Sequence, residues 1–274
     1  MPAALRNINA FNNHPSGAAA MSEILAYLEH GVLSLTFNRV EKKNALTSAM
    51  YAALADQLEQ AAGDVQTRVL VIQGQESLFT AGNDVSEFLQ RPPASMEAPV
   101  FRFLRAIADF PKPALAAVCG PAVGIGTTLL LHCDLVYAGD NALFSLPFVN
   151  LGLCPEAASS LLLPLRIGHA AANEKLLFGE PFTADEAQEL GLVNRVLPPS
   201  EVNVFALQQA RKLAAKPLAS LMVTKTLLRQ PQRAAVHAMI TEEAAHFERL
   251  LKGPAAKEAF GAFLAKRKPD FSGL

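Results

Sequence analysis

The chain carries almost no excess of either charge: 24 Lys and Arg stand against 25 Asp and Glu, a formal net charge of −1 over 274 residues. A nucleic-acid binder needs a basic surplus to meet phosphates, so no nucleic-acid partner is expected. Nor is this the composition of a disordered chain, since 51% of residues are apolar and 18% are charged. Cysteine is scarce. Cys119, Cys133 and Cys154 are too few and too far apart for a disulfide framework, and no CxxC pair marks a structural zinc site. They read as buried thiols in a reducing compartment. The histidines form no HxxxH pair, and no metal is expected.

Long apolar runs are missing too. The longest uncharged stretch, Pro113 to Cys133, is broken by Gly120, Pro121, Gly124 and Gly126 and holds Thr127, Thr128 and His132. It reads as strand, turn and helix rather than about 20 continuous residues in lipid. No membrane association is expected. Residues 1–20 lack an apolar core after a basic start, so they read as a flexible tail rather than a signal peptide. The expected location is cytoplasmic. Ser272-Gly273-Leu274 matches the peroxisomal Ser-Lys-Leu address only loosely.

What is present is an alternation of strand and helix. Val32 to Phe37, Val69 to Gln73 and Ala114 to Val118 are short apolar runs suited to strands buried on both faces, and Asp134 to Ala138 is a fourth. Met50, Leu54, Leu58 and Ala61 share one face of a helix from about Ser48 to Ala61. This order implies an α/β fold. From Glu174 the pattern turns helical. Thr183-Ala184-Asp185-Glu186 is a capping box. Ile240, Ala244, Phe247 and Leu251 share a face that Gly253-Pro254 ends, and a last helix carries Phe260, Phe263 and Leu264. A boundary near residue 200, where strand signals cease, separates a core (21–200) from a helical region (201–274).

Four stretches depart from ordinary helix and strand composition. Asn38 to Leu46 places Lys42 and Lys43 between a strand and a helix, where they could meet an anion or simply face solvent. Phe79 to Val85 holds Ala81 and Gly82, small enough for close backbone approach, before a helix starting near Asp84. Its plain reading is a turn capped by Asp84. Gly120 to Thr128 is a second glycine-rich turn between strand and helix. Two such turns could supply two convergent N–H donors, although each alone is a common structural device. Neither is the dinucleotide fingerprint GxGxxG. Pro147 to Ser160 sets Glu156 among apolar and small residues, where burial raises a carboxyl pKa and suits it to act as a base near neutral pH. The alternative is a carboxylate in the first turn of a helix. Ser159 and Ser160 sit in no nucleophile motif.

In this order and spacing the four stretches resemble the crotonase (enoyl-CoA hydratase/isomerase) superfamily, from about Leu25 to the C-terminus, including the closing Phe263-Leu264-Ala265-Lys266-Arg267-Lys268-Pro269. The resemblance implies an α/β spiral of ββα turns with a C-terminal helical oligomerisation region. It also implies a homotrimer or dimer of trimers, an acyl-CoA thioester as substrate and no separate cofactor. The N–H groups of Asn83 and Ile125 are then the pair that holds the thioester oxygen; the family often has glycine where Ile125 stands. Typical hydratases use two glutamates, and their places are taken here by Thr128 and Phe148. Hydration by two glutamates is therefore not expected. Ala-Gly-Asn-Asp, Gly-Pro-Ala-Val-Gly-Ile and Pro-Phe-x-x-Leu-Gly-x-x-Pro-Glu are similar to the Δ3,Δ2-enoyl-CoA isomerase branch, especially its peroxisomal-type members. In that branch a single glutamate at the Glu156 position is the base. The implied CoA contacts are Lys42, Lys43, Ala81 and Gly82, with Asp84, Val85, Gly124 and Phe148 around the substrate. Phe263 and Lys266 are implied to reach CoA on a neighbouring subunit. The rival readings are an enoyl-CoA hydratase or other crotonase lyase using Glu156 or Asp84, and a non-catalytic acyl-CoA binder. A thioesterase or dehalogenase on the same scaffold is a weaker third.

Overall fold

The computed structural model of the chain describes residues 6–7, 22–91 and 95–274. The tail expected at residues 1–20 lies outside these except at Arg6 and Asn7. In chain order the elements are β1 (Arg6–Asn7), β2 (Ile24–Glu29), β3 (Val32–Phe37), α1 (Ser48–Gly63), β4 (Val69–Gln73), α2 (Val85–Gln90) and α3 (Pro99–Ala108). Then come β5 (Ala114–Val118), β6 (Pro121–Val123), α4 (Ile125–Thr128), β7 (Leu135–Gly139), β8 (Leu143–Ser145), α5 (Ser159–Ile167) and α6 (His169–Phe178). The chain closes with β9 (Phe182–Thr183), α7 (Ala184–Glu189), β10 (Arg195–Leu197), α8 (Pro199–Ala214), α9 (Leu218–Leu251) and α10 (Pro254–Leu264).

Seven strands form one sheet in the order β1-β2-β3-β4-β5-β7-β10, and β6-β8-β9 form a second, smaller one. The large sheet is antiparallel from β1 to β3 and parallel from β3 onward. Each turn of the chain places a strand in the large sheet and the next in the small one: β5 then β6, β7 then β8. After β4, Thr80 does the same through a parallel bridge to Ala122 of β6. This is the ββα spiral that the resemblance implied. Strand β2 was not expected. It joins β3 through His30 and Gly31, both at positive φ (49° and 76°), as a tight two-residue hairpin requires.

The central strands have two apolar faces because each meets a different partner. Leu70, Ile72, Ala114, Ala116 and Val118 point into the main core, and the alternate residues Val69, Val71, Leu115 and Ala117 point into a second one. Val202, Ala206, Ala210 and Ala214 of α8 complete that second core. Of the alanines that weaken β5 as a strand by propensity, Ala117 faces the alanine stripe of α8, and Ala114 and Ala116 face the main core. Helix α8 thus packs on the sheet, so the helical region beyond residue 200 divides: α8 belongs with the core, and α9 begins the outer part.

Helix α9 is anchored by charge as well as packing. Lys225 Nζ and Arg229 Nη2 each lie 2.8 Å from the Asp134 carboxylate. Asp134 itself precedes β7, which starts one residue later than expected, and its Oδ2 accepts the Ala114 N–H at 2.8 Å. At α7 the Thr183 hydroxyl accepts the Glu186 N–H as the capping box requires, but the Glu186 carboxylate turns to Lys175 at 2.6 Å instead of reaching back. Among the described residues no helix is long and apolar enough to cross a membrane.

Candidate active site

The first three unusual stretches are stitched side by side. Lys43 and Asn44 adopt left-handed backbone (φ 53° and 51°), which turns the fully buried Asn44 amide inward. Its Nδ2 donates to the Phe79 carbonyl at 2.9 Å and to Gln75 Oε1 at 2.8 Å, and its own carbonyl accepts the Thr80 hydroxyl at 2.6 Å. Thr80 in turn donates its N–H to the Pro121 carbonyl (2.9 Å) and accepts the Val123 N–H (3.1 Å). The two glycine turns are thereby held in contact. Gly82 (φ +88°) has no alternative: a β-carbon there would stand 2.9 Å from the Val123 carbonyl oxygen.

Backbone donors come free at these turns, those of Asn83 and Ile125 among them. Among the described residues, the Asn83 N–H and the Ile125 N–H have no acceptor within the protein. Ile125 is the first residue of α4, where an N–H has no intrahelical partner by geometry.

Glu156 lies between Pro155 and two residues in left-handed backbone, Ala157 (φ 62°) and Ala158 (φ 56°). Each costs about 1–2 kcal/mol for a residue with a β-carbon. Helix α5 starts only at Ser159, so Glu156 stands ahead of it rather than in its first turn. The Thr128 hydroxyl donates to Glu156 Oε1 at 2.5 Å. Burial pushes the Glu156 carboxyl up to about 8; the Thr128 hydrogen bond pulls against this and the charge of Glu243 adds to it. The residue as a whole is partly rather than fully buried. On the other turn, the Tyr51 hydroxyl donates to Asn83 Oδ1 at 2.5 Å. Burial, and then the charge of Glu156, hold that phenol well above its ordinary range. Glu156 is thus tied to one turn through Thr128 and sensed at the other through Tyr51. Phe148 is 6% exposed, with its ring edge 4.0 Å from where a Gly124 β-carbon would stand. Behind Glu156, the Ala157 carbonyl accepts from His132 Nε2 at 2.8 Å. Burial lowers the His132 pKa to about 4, so this imidazole is neutral and carries its proton on Nε2.

The other expected contacts fall into three groups. Lys42 and Lys43 are exposed beside the second stretch, where the Lys43 carbonyl accepts the Ala81 N–H at 3.0 Å. Asp84 does not offer a free carboxylate: Oδ1 accepts the Glu87 N–H at 3.2 Å, capping α2, and Oδ2 pairs with Arg39 at 2.8 Å. Val85 opens α2 and packs on the main core. Phe263 (59% exposed) and Lys266 stand on the surface at the C-terminal end, and among the described residues neither bonds to the Glu156 cluster. Among the described residues no group of three His, Cys, Asp or Glu side chains could hold a metal ion.

Sequence reasoning missed Tyr51 and Glu243 and took Thr128 only as a missing acid. Glu243 did leave a signal. Val236, Ile240, Glu243 and Phe247 recur at helical spacing, so Glu243 is a carboxylate on an otherwise apolar stripe.

A carboxyl of raised pKa, hydrogen-bonded to a turn that carries a free backbone donor, with a second such turn near it, suits the class of proton-transferring enzymes that stabilise an oxyanion. Comparison with known proteins narrows that class. The family model for enoyl-CoA hydratase/isomerase matches residues 28–273. The chain is 38% identical over 254 residues to the 2,3-dehydroadipyl-CoA hydratase of Escherichia coli (strain K12), covering 92% of this chain and 100% of that one. It is 40% identical over 226 residues to enoyl-CoA delta isomerase 2 of Rattus norvegicus, covering 80% of this chain and 58% of that longer protein. It superposes on the crystal structure of an enoyl-CoA hydratase/isomerase from Pseudoalteromonas atlantica T6c with a TM-score of 0.87 and 41% identity, covering 92% and 100% of the two chains. The chain belongs to the enoyl-CoA hydratase/isomerase family of the crotonase superfamily.

Proposed function

We propose that the protein is a Δ3,Δ2-enoyl-CoA isomerase with Glu156 as its single base. The observation that carries this reading is the contact between Thr128 and Glu156. At one of the two positions where a two-glutamate hydratase would hold its carboxylates, this chain has a hydroxyl hydrogen-bonded to Glu156, and at the other it has Phe148. In the proposed reaction Glu156 takes a proton from C2 of a 3-enoyl-CoA. The electron pair moves into the thioester, and the Asn83 and Ile125 N–H groups hold the dienolate oxygen. Protonated Glu156 then returns the proton to C4, giving the 2-trans-enoyl-CoA with no change of mass. Phe148, Leu151 and Leu153 exclude water from the intermediate. The scheme uses no cofactor beyond the CoA of the substrate, whose phosphates would meet Lys42 and Lys43. The identity to enoyl-CoA delta isomerase 2 supports this reading.

A second reading, hydration, draws support from the dehydroadipyl-CoA hydratase, which matches over its full length. Mass-resolved assays of wild type and Glu156→Gln on 3-trans-hexenoyl-CoA and 2-trans-hexenoyl-CoA separate the two. The isomerase reading expects isomerisation of the first without mass gain, lost in the variant. A product of the second heavier by one water would establish the hydratase instead. Val223, Leu227 and Leu228 leave an exposed apolar row on α9; we take it to face other subunits of a homotrimer or a dimer of trimers.

A further inference from the structure

We propose that Glu243 of α9 is the positioning residue that holds Glu156 in its working geometry, an inference that rests on Glu156 being the base. Ala157 and Ala158 follow Glu156 in left-handed backbone that alanine does not adopt by preference. Something outside the turn must hold it there. Glu243 does so from 85 residues away, with its carboxylate accepting three hydrogen bonds. Oε2 takes the Ala158 N–H at 2.6 Å, and Oε1 takes the Ser160 N–H at 2.9 Å and the Ser160 hydroxyl at 2.5 Å. One helical turn back on α9, Ile240 packs with Val236 against Ala158 itself. Glu243 is 6% exposed, so little water reaches its carboxylate. His132 holds the preceding carbonyl from the opposite side of the sequence, at Ala157. With both ends gripped, the Glu156 side chain projects toward Thr128 with little freedom. Glu243 touches neither turn that carries the free N–H groups; it reaches the reaction through the placing of Glu156 and, by its charge, through the Glu156 pKa, so the kinetic comparison is made on the pH-independent plateau of the rate.

Glu243→Gln keeps the shape but turns an amide NH2 on one of these N–H donors, so the three bonds cannot all form. Misplacement of a catalytic group by about 1 Å costs roughly 100-fold. The expected result is a kcat lower by about 10- to 100-fold with KM changed by less than about threefold. Ser160→Ala, at an exposed residue, removes one donor without threatening the fold and is expected to lower kcat by a smaller factor, again at constant KM. Crystal structures of wild type and Glu243→Gln read the geometry without reference to turnover. They are expected to show Ala158 leaving positive φ or the Thr128–Glu156 hydrogen bond broken. An unchanged turn overturns the inference, whether or not kcat falls; so does a variant with displaced geometry and undiminished kcat. Glu156→Gln in the same assay reports on the base itself. If it retains full activity the isomerase reading fails, while the crystal structures still decide whether Glu243 holds the turn.

Discussion

Under the isomerase reading, Glu156 sets function against stability within a single carboxyl. In the folded protein its pKa is about 8, against an ordinary value of 4.5. Between those values the folded state keeps a proton that the unfolded state releases. Stability therefore falls as pH rises through this window, by up to ~1.4 kcal/mol per pH unit, and levels off once both states are ionised. Glu156→Gln removes the dependence. Thermal melts at pH 5 and pH 9 are expected to show the variant gaining over wild type far more at pH 9; an equal difference at both would count against a raised pKa. In the isomerase scheme the same ionisation makes the base competent, so activity climbs with pH as the fold weakens.

At the scale of elements, the glycine turns are rigid because they are stitched to each other through Thr80. Gly82→Ala forces a methyl group against the Val123 carbonyl at positive φ. It is expected to cost about 1–3 kcal/mol of stability and, by moving the Asn83 N–H, to lower kcat by roughly 100-fold. Gly261→Ala, inside α10 with nothing within 4 Å of the new β-carbon, is the control. It is expected to stabilise by about 0.5–1 kcal/mol. Urea denaturation and steady-state kinetics on both variants check the contrast. The strands were legible in proportion to how completely each is buried. β3, β4 and β5 begin and end where their apolar runs do. β2 escaped notice because Leu, Ala and Glu carry little strand signal, and His-Gly is a weaker hairpin mark than Asn-Gly. Strands of two or three residues, such as β6, β8 and β9, fall below any periodicity.

Across the whole molecule, residues distant in sequence supply what the local pattern could not reveal. The four chemical stretches were legible because each departs from helix or strand composition. Tyr51 was not, because it lies inside an ordinary-looking helix; Glu243 interrupts an apolar stripe, but its role appears only with the partner that folding brings to it. Asp134 shows the same principle in the frame. Its carboxylate meets the Ala114 N–H, Lys225 and Arg229, joining β5, β7 and α9. Lys225 is 7% exposed. Asp134→Ala leaves that cation without its ion partner, and is expected to cost about 3 kcal/mol. Guanidinium denaturation is the check; a loss below about 0.5 kcal/mol would mean the pair behaves as a surface bridge.

The contact between Thr128 and Glu156 also bears on how such a scaffold changes its reaction over evolution. Thr128 is fully buried and its hydroxyl touches the carboxylate. Replacing it with glutamate, which restores one of the two hydratase positions and leaves Phe148 at the other, would press two carboxylates together in a space sized for a hydroxyl. One would be obliged to keep its proton. Moving between these chemistries therefore requires the surroundings to widen first. The packing around one threonine acts as a ratchet on which activities neighbouring sequences can reach.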